Sequence, residues 1–297
     1  MMNSNDYSVA FCLLARDCEH DLHRNISYID NYRNQFRRSI VIVIENDSID
    51  GTKKILEKWD QESEGIILKS QNHPEWFSMH RVQRIALCRN EYMNILREQN
   101  ESYDFVIMID MDVELCDVDF MEVIHNAPSD FSVLFANGRY YLSVLKHRVA
   151  MFYYDLYAYV PYNSPKIDFI GGELGDNGDA LEKLLRKQEY VLCDSAFGGL
   201  AIYRFEAIQN LTYITVPNHR SNKYTLLCEH VPFNAECRKR GALYIARNLH
   251  LFYEPLSWKG CIHRLLNRYL GKQRYNSFLF FYYVIIRRRK DYDTPKD

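Results

Sequence analysis

Short apolar runs separated by amphipathic stretches organise the first third of the chain. Residues 9–14 and 39–45 are almost uninterrupted apolar runs, the pattern of strands buried on both faces. Between them, residues 20–36 carry Leu22, Ile26, Ile29 and Tyr32 at helical spacing. The turn-and-cap cluster Asn46-Asp47-Ser48-Ile49-Asp50-Gly51-Thr52 ends the second strand and opens a helix over 52–59, with Asp50 placed to cap it. A third strand is predicted at 65–68, a helix at 82–96 with Ile85, Leu87, Met93 and Leu96, and a fourth strand at 105–109. Alternation of this kind predicts an α/β fold on parallel strands, whose ligands bind beyond the strands' carboxyl ends.

The fourth strand runs straight into Asp110-Met111-Asp112. In an extended backbone the two carboxylates project the same way while Met111 turns back to the core. Like charges that close repel and raise each other's pKa, and a hard divalent cation between them relieves both effects. Mg²⁺ or Mn²⁺ suits such a pair, completed by substrate phosphate. Two acids ending a strand in solvent is the plainer alternative.

Composition narrows the class. Hydrophobic residues at 47% and charged residues at 26% describe a folded globular chain, and a net charge of −2 gives no basis for a nucleic-acid partner. The first glycine is Gly51, so the first strand is followed by neither a G-x-G-x-x-G nor a Walker loop, and a nucleotide must be held by side chains and metal. The eight cysteines are scattered with no C-x-x-C pair, which fits reduced thiols and a cytoplasmic setting. The start of the chain lacks the pattern of a secretory signal.

Three blocks in order then carry a family likeness: Glu45-Asn46-Asp47-Ser48-x-Asp50-Gly51-Thr52, Arg84-Ile85-Ala86-x-x-Arg89-Asn90, and strand-Asp110-x-Asp112. They resemble the front half of a GT-A glycosyltransferase, more narrowly the fungal capsule-associated (alpha-1,3-) mannosyltransferase family and its microbial and viral relatives. The likeness continues through Tyr154-Asp155-Leu156-Tyr157-Ala158, the block from Cys193-Asp194-Ser195 to Gly198-Gly199-Leu200, and Cys228-Glu229-His230, covering residues 9–253. The chain departs from the fungal pattern around Cys228-Glu229-His230 and in its basic tail, so the donor sugar does not carry over.

The resemblance implies a Rossmann-like nucleotide-diphospho-sugar transferase fold, with a mixed central sheet flanked by helices. It divides the chain into a domain over 1–255 (1–115 for the nucleotide-sugar, 116–255 for the acceptor) and a tail over 256–297. It implies a metal-dependent hexosyltransferase taking a UDP- or GDP-linked sugar to a glycan or lipid-linked acceptor, as in polysaccharide biosynthesis. Ala15 and Arg16 would flank the base, Glu45, Asn46 and Asp47 would meet base or ribose, Arg84 would face the donor, and Arg89 with Asn90 would help fix the site. Asp112 would ligate the metal, Asp110 would contact ribose or metal water, and His250, expected after a strand at 242–246, would be a third ligand. Glu229 is favoured over His230 as catalytic group, with Asp194 on acceptor hydroxyls. Two other readings stay open: a nucleotidyl- or phosphotransferase using the same acids, and a catalytically silent nucleotide-sugar-binding protein.

Later segments are less decisive. Residues 131–136 read as a strand and Asn137-Gly138-Arg139 as a turn. Asp155 is either an acceptor contact or a structural acid. Gly198-Gly199 permits either close approach of a ligand or a bulge. The glycine-rich acidic stretch 166–179 predicts a mobile loop without regular structure. The tail sets an apolar run at 278–286 between Arg264, Arg268, Lys272, Arg274 and Arg287-Arg288-Arg289-Lys290. Nine apolar residues are too few to span a bilayer, which needs about 20. The tail is either a segment lying on an anionic membrane surface or a final helix with a solvated basic end.

Overall fold

The computed structural model describes residues 6–144, 147–163, 174–218 and 225–255. The tail over 256–297, Cys261 with it, and the first part of the 166–179 stretch lie outside these residues. Contacts divide the described chain into two units, one running to Tyr141 and resuming over Ala150–Glu254, the other taking Leu142–Val149 and Pro255. The first holds every site residue discussed below.

The strands and helices of the front half fall where the apolar runs predict them. They are β1 (Ser8–Ala15), α1 (Glu19–Arg33), β2 (Arg38–Asn46), α2 (Thr52–Glu62), β3 (Ile66–Gln71), α3 (Arg81–Glu98) and β4 (Phe105–Asp110). Then follow α4 (Phe120–His125), β5 (Phe131–Val144), β6 (His147–Tyr153), β7 (Val160–Pro161), α5 (Leu174–Leu185), β8 (Tyr190–Ser195), β9 (Leu200–Arg204), α6 (Phe205–Ile208), α7 (His230–Cys237) and β10 (Ala242–Pro255).

Among the described residues the strands form one mixed sheet in the order β3-β2-β1-β4-β9-β5-β10-β8-β7, with β6 on β5. The first four are mutually parallel, and the direction reverses where β9 pairs antiparallel with β4. Alternation along each strand feeds two apolar layers. Ala10, Cys12, Ile42, Ile44 and Met108 join Ala86, Tyr92, Met93 and Leu96 of α3 on one face. Val9, Phe11, Leu13, Val43 and Ile107 join Leu22 and Ile29 of α1 and Leu56 and Trp59 of α2 on the other. Both faces being covered explains why these strands read as continuous apolar runs.

Three expectations change. Asn137-Gly138-Arg139 is not a turn but the middle of β5, because Gly138 is required where the Gly198 carbonyl and the Tyr154 ring press against the strand. The 166–179 stretch is regular from Leu174 onward, where α5 begins; its Gly178 lies against the Leu156 side chain. The strand expected at 242–246 continues to Pro255, so His250 sits within β10 rather than after it.

Candidate functional site

Register brings the chemistry to one edge of the sheet. Ala15 pairs with Glu45 and Leu14 with Asp110, so the exits of β1, β2 and β4 lie side by side. A cleft opens there between the loop after β1, the end of β2, α3 and the Asp110-Met111-Asp112 corner. It is lined by Ala15, Arg16, Asn46, Arg84, Asp110 and Asp112 from the expected set, together with Asp17, Arg81, Ile85 and Cys88.

The loops behind the cleft brace one another. Asp17 N–H donates to Ser48 Oγ (3.2 Å) and Asp17 Oδ1 accepts from Ile49 N–H (2.8 Å). Cys18 N–H donates to Thr52 Oγ1 (2.8 Å), and Asp50 accepts from the backbone N–H groups of Thr52 and Glu19, both at 3.0 Å. Asp50 thus satisfies the first N–H groups of both α1 and α2 from the position before the Gly51 N-cap. Glu45 is buried, with Oε1 accepting from Ser48 N–H (2.9 Å) and Oε2 from the Ser70 hydroxyl. Asp47 holds a left-handed backbone (φ 52°) and accepts from His73 N–H and the Asn46 amide, both at 2.8 Å. Glu45 and Asp47 therefore shape the turn, leaving Ala15, Arg16 and Asn46 as the expected base and ribose contacts on the cleft wall.

The acidic corner is also braced. β4 ends at Asp110, and Asp112 reaches the cleft through a turn rather than by strand alternation, with Met111 fully buried between them as expected. Asp110 N–H donates to the Gly199 carbonyl (3.0 Å) and Met111 N–H to the Leu14 carbonyl (2.8 Å). The buried Asn25 amide of α1 donates to the Met111 and Val113 carbonyls (3.1 and 2.6 Å), and its Oδ1 accepts from Leu115 N–H (3.2 Å). Gly198 and Gly199 have φ of 68° and 86°, and a Cβ on Gly199 would stand 2.8 Å from the Tyr154 hydroxyl. The glycine pair thus serves close backbone packing behind Asp110.

Arg89 and Arg84 diverge on α3, as five-residue spacing predicts. Arg84 lines the cleft with its guanidinium over the exposed Phe77 ring at 5.8 Å, and Arg16 approaches the same ring at 5.4 Å. Arg89 is 1% exposed and reaches both Asp110 oxygens (2.9 and 3.2 Å), Glu229 Oε1 (3.2 Å) and the Tyr92 hydroxyl (3.3 Å). Phe197 covers its face at 4.8 Å.

Burial pushes the Asp110 carboxyl up, Arg89 pulls it down, and Glu229 pushes it up again. Asp112 opens to the cleft yet has protein around its other sides. Desolvation first and the Asp110 charge second push it up to about 6, with Arg81 opposing. Asp155 is likewise pushed up to about 6, by burial first, against the Gly198 N–H that it accepts at 3.0 Å, and with Glu229 and Asp110 adding to the rise. It is a hydrogen-bonded acid of the turn before β7.

The other expected site residues stand apart from the cleft wall. Glu229 is buried at the start of α7, held by Arg89 and by the Cys228 thiol at 3.6 Å. His230 stacks on Phe197 at 3.9 Å, and burial, then the Arg89 charge, push it well below the usual imidazole range. It is therefore neutral, and its 3.6 Å approach to Glu229 is no ion pair. Asp194, on β8 four strands removed from β4, pairs with Arg238 from beyond α7. His250 is exposed on β10, with Nδ1 3.2 Å from the Asn248 carbonyl.

Among the described residues no group of three or more His, Cys, Asp or Glu side chains is gathered for a metal. The corner fits a cation of another kind. Mg²⁺ and Mn²⁺ take one or two carboxylates and complete their shell with water and phosphate. Asp112, engaged by no other side chain among the described residues, and Asp110, which has lone pairs beyond those facing Arg89, supply that hard-oxygen set.

Residues that sequence reasoning missed are Arg81, Asn25 and Phe77. Arg81 was findable, standing one helical turn before Arg84 on the same face. Asn25 and Phe77 carry no local signal. Among the described residues no two cysteines form a disulfide, and no helix is long and apolar enough to cross a membrane.

No protein-family description and no curated protein matches the chain in sequence. Solved structures share its backbone path weakly. The mannosyltransferase PcManGT from Pyrobaculum calidifontis, in complex with GDP-Man and Mn²⁺, is 10% identical at a TM-score of 0.45, over 93% of this chain and 64% of its own. S. aureus TarS 1-349 with UDP-GlcNAc is 14% identical at 0.43, over 84% of this chain and 59% of its own. GalNAc-T7 with UDP, GalNAc and Mn²⁺ is 11% identical at 0.49, over 86% and 44%. The chain spans less than two thirds of the length of each of these three.

Proposed function

We propose that this chain is a metal-dependent GT-A glycosyltransferase that moves a hexose from a nucleotide-diphosphate sugar to a glycan or glycolipid acceptor. The observation that carries the reading is the cleft itself, which gathers Asp110 and Asp112 with Arg81, Arg84 and Arg16 in one lining beside the carboxyl ends of β1, β2 and β4. Carboxylates and guanidiniums together suit a diphosphate bridged to the acids by a divalent cation. Such a cation, when bound, supplies Lewis-acid stabilisation of charge on the departing diphosphate. Asp112 would hold it with Asp110 alongside, the arginines would take the outer phosphate oxygens, and Asn46 would meet base or ribose. The donor occupies the half over 1–115, and the acceptor approaches from 116–255.

A panel of UDP, GDP and CMP with and without Mn²⁺ tests this by thermal unfolding. One base should stabilise the fold in a Mn²⁺-dependent manner, by about 2.7 kcal/mol at a hundredfold excess over Kd. Equal stabilisation with chelator present would remove the metal from the reading.

The raised Asp112 carboxyl predicts the pH dependence. Below about 6 it holds a proton and loses its value as a ligand, so Mn²⁺ affinity should fall as pH drops through about 6. The unfolded chain releases the same proton near 3.9. The unliganded fold therefore loses stability as pH rises from about 3.9 to 6, an effect that solvent screening keeps small. Titrating Mn²⁺ at pH 5 and pH 7.5 reads the first effect directly. Equal affinity at the two values would show that Asp112 is not the ligand.

A further inference from the structure

Glu229 is the group that sequence reasoning favoured for catalysis, and its surroundings argue for a different task. A general base must come within hydrogen-bond reach of the acceptor's proton. Glu229 is 4% exposed, its Oε1 accepts from Arg89 Nε at 3.2 Å, its Oε2 faces the Cys228 thiol at 3.6 Å, and it contributes nothing to the cleft wall. The other end of the same guanidinium grips both oxygens of Asp110. Tyr92 takes a third edge, and the rings of Phe197 and Tyr213 close over the group at 4.8 and 5.8 Å. Arg89 is thus immobilised between two carboxylates 119 positions apart in the chain (229 − 110), one on the cleft and one away from it.

We infer that Arg89 and Glu229 are a positioning pair for the cation site, with Glu229 acting on Asp110 through Arg89 and not as the proton acceptor of the reaction. The inference rests on the metal-dependent reading above. Two effects act with the same sign. Arg89 divides its charge between Glu229 and Asp110, so neutralising Glu229 commits the whole guanidinium to Asp110 and draws that carboxylate away from a cation. Neutralising Glu229 also removes one negative charge from the neighbourhood of Asp110 and Asp155, both of which feel it. Each effect weakens cation binding. Partners that orient ligands from behind cost about 10–100-fold in metal affinity when removed.

The test compares wild type, Glu229→Gln and Arg89→Lys by Mn²⁺ titration in the presence of UDP or GDP, following free Mn²⁺ by electron paramagnetic resonance, alongside kcat at saturating Mn²⁺. The glutamine variant keeps shape and an acceptor oxygen for Arg89, so it stays informative if the lysine variant fails to fold. The expected result is a Mn²⁺ affinity lowered at least about tenfold in Glu229→Gln, with kcat at saturating Mn²⁺ within about tenfold of wild type. A Mn²⁺ affinity within twofold of wild type, or a kcat loss of about a hundredfold or more that Mn²⁺ does not restore, the signature of a missing base, overturns the inference. Wild type that takes up no Mn²⁺ with either nucleotide refutes the glycosyltransferase reading instead.

Discussion

Asp112→Asn is expected to lower sugar transfer by about a thousandfold or more, the loss that follows when charge on a leaving group goes uncompensated. The same change should leave the fold at least as stable as wild type at pH 7.5. Asparagine keeps the shape of the side chain and removes a carboxylate that desolvation and the Asp110 charge both oppose. A transfer assay and a thermal melt on one preparation read both effects. Activity within tenfold of wild type would dismiss the acidic corner as the seat of chemistry, and a collapsed melt would recast Asp112 as a structural residue. Asp110→Asn differs in kind, because it removes one of the two counterions of a buried arginine and leaves Glu229 to compensate the guanidinium alone.

Gly198→Ala, in the turn between β8 and β9, is expected to be severely destabilising. Gly198 has φ of 68°, and a Cβ there would run into the Ala136 carbonyl and stand 3.2 Å from the Gly138 nitrogen. Left-handed strain contributes about 1–2 kcal/mol and forced displacement of backbone about 1–3 kcal/mol more. The obstructing atoms belong to β5, which cannot swing aside as a long side chain would. Urea unfolding should show a lower midpoint at unchanged slope. Because the next residue's carbonyl receives Asp110 N–H, Mn²⁺ binding should weaken in parallel. A midpoint equal to wild type would show that β5 has room to move.

How much of this was legible beforehand depends on the range of the interaction. Strands β1 to β4 and their helices follow from local periodicity, since burial on both faces leaves an apolar run that few other arrangements produce. The acidic corner was legible because its signal, two acids at a strand exit, is also local. Arg89 was not. Nothing near it distinguishes a surface arginine from one sealed under Phe197, and its second partner lies 140 positions away. Asn137-Gly138 misled for a related reason. That dipeptide usually marks a hairpin turn, whereas here the glycine answers to Tyr154 and Gly198, contacts that only the assembled sheet creates. Glu45 and Asp47 were placed at the right edge of the sheet, but the braces that occupy them come from Ser70 and His73 on and beyond β3.

The Arg89 bridge has a consequence for descent. Removing Arg89 leaves two carboxylates uncompensated and removing either acid upsets the division of its charge, whereas exchanging a buried ionic set for well-fitted apolar side chains is often neutral or stabilising. The three positions should therefore be inherited as a block. A lineage released from the need for a charged corner would shed all three together, and a relative retaining both acids without the arginine would betray a compensating cation elsewhere.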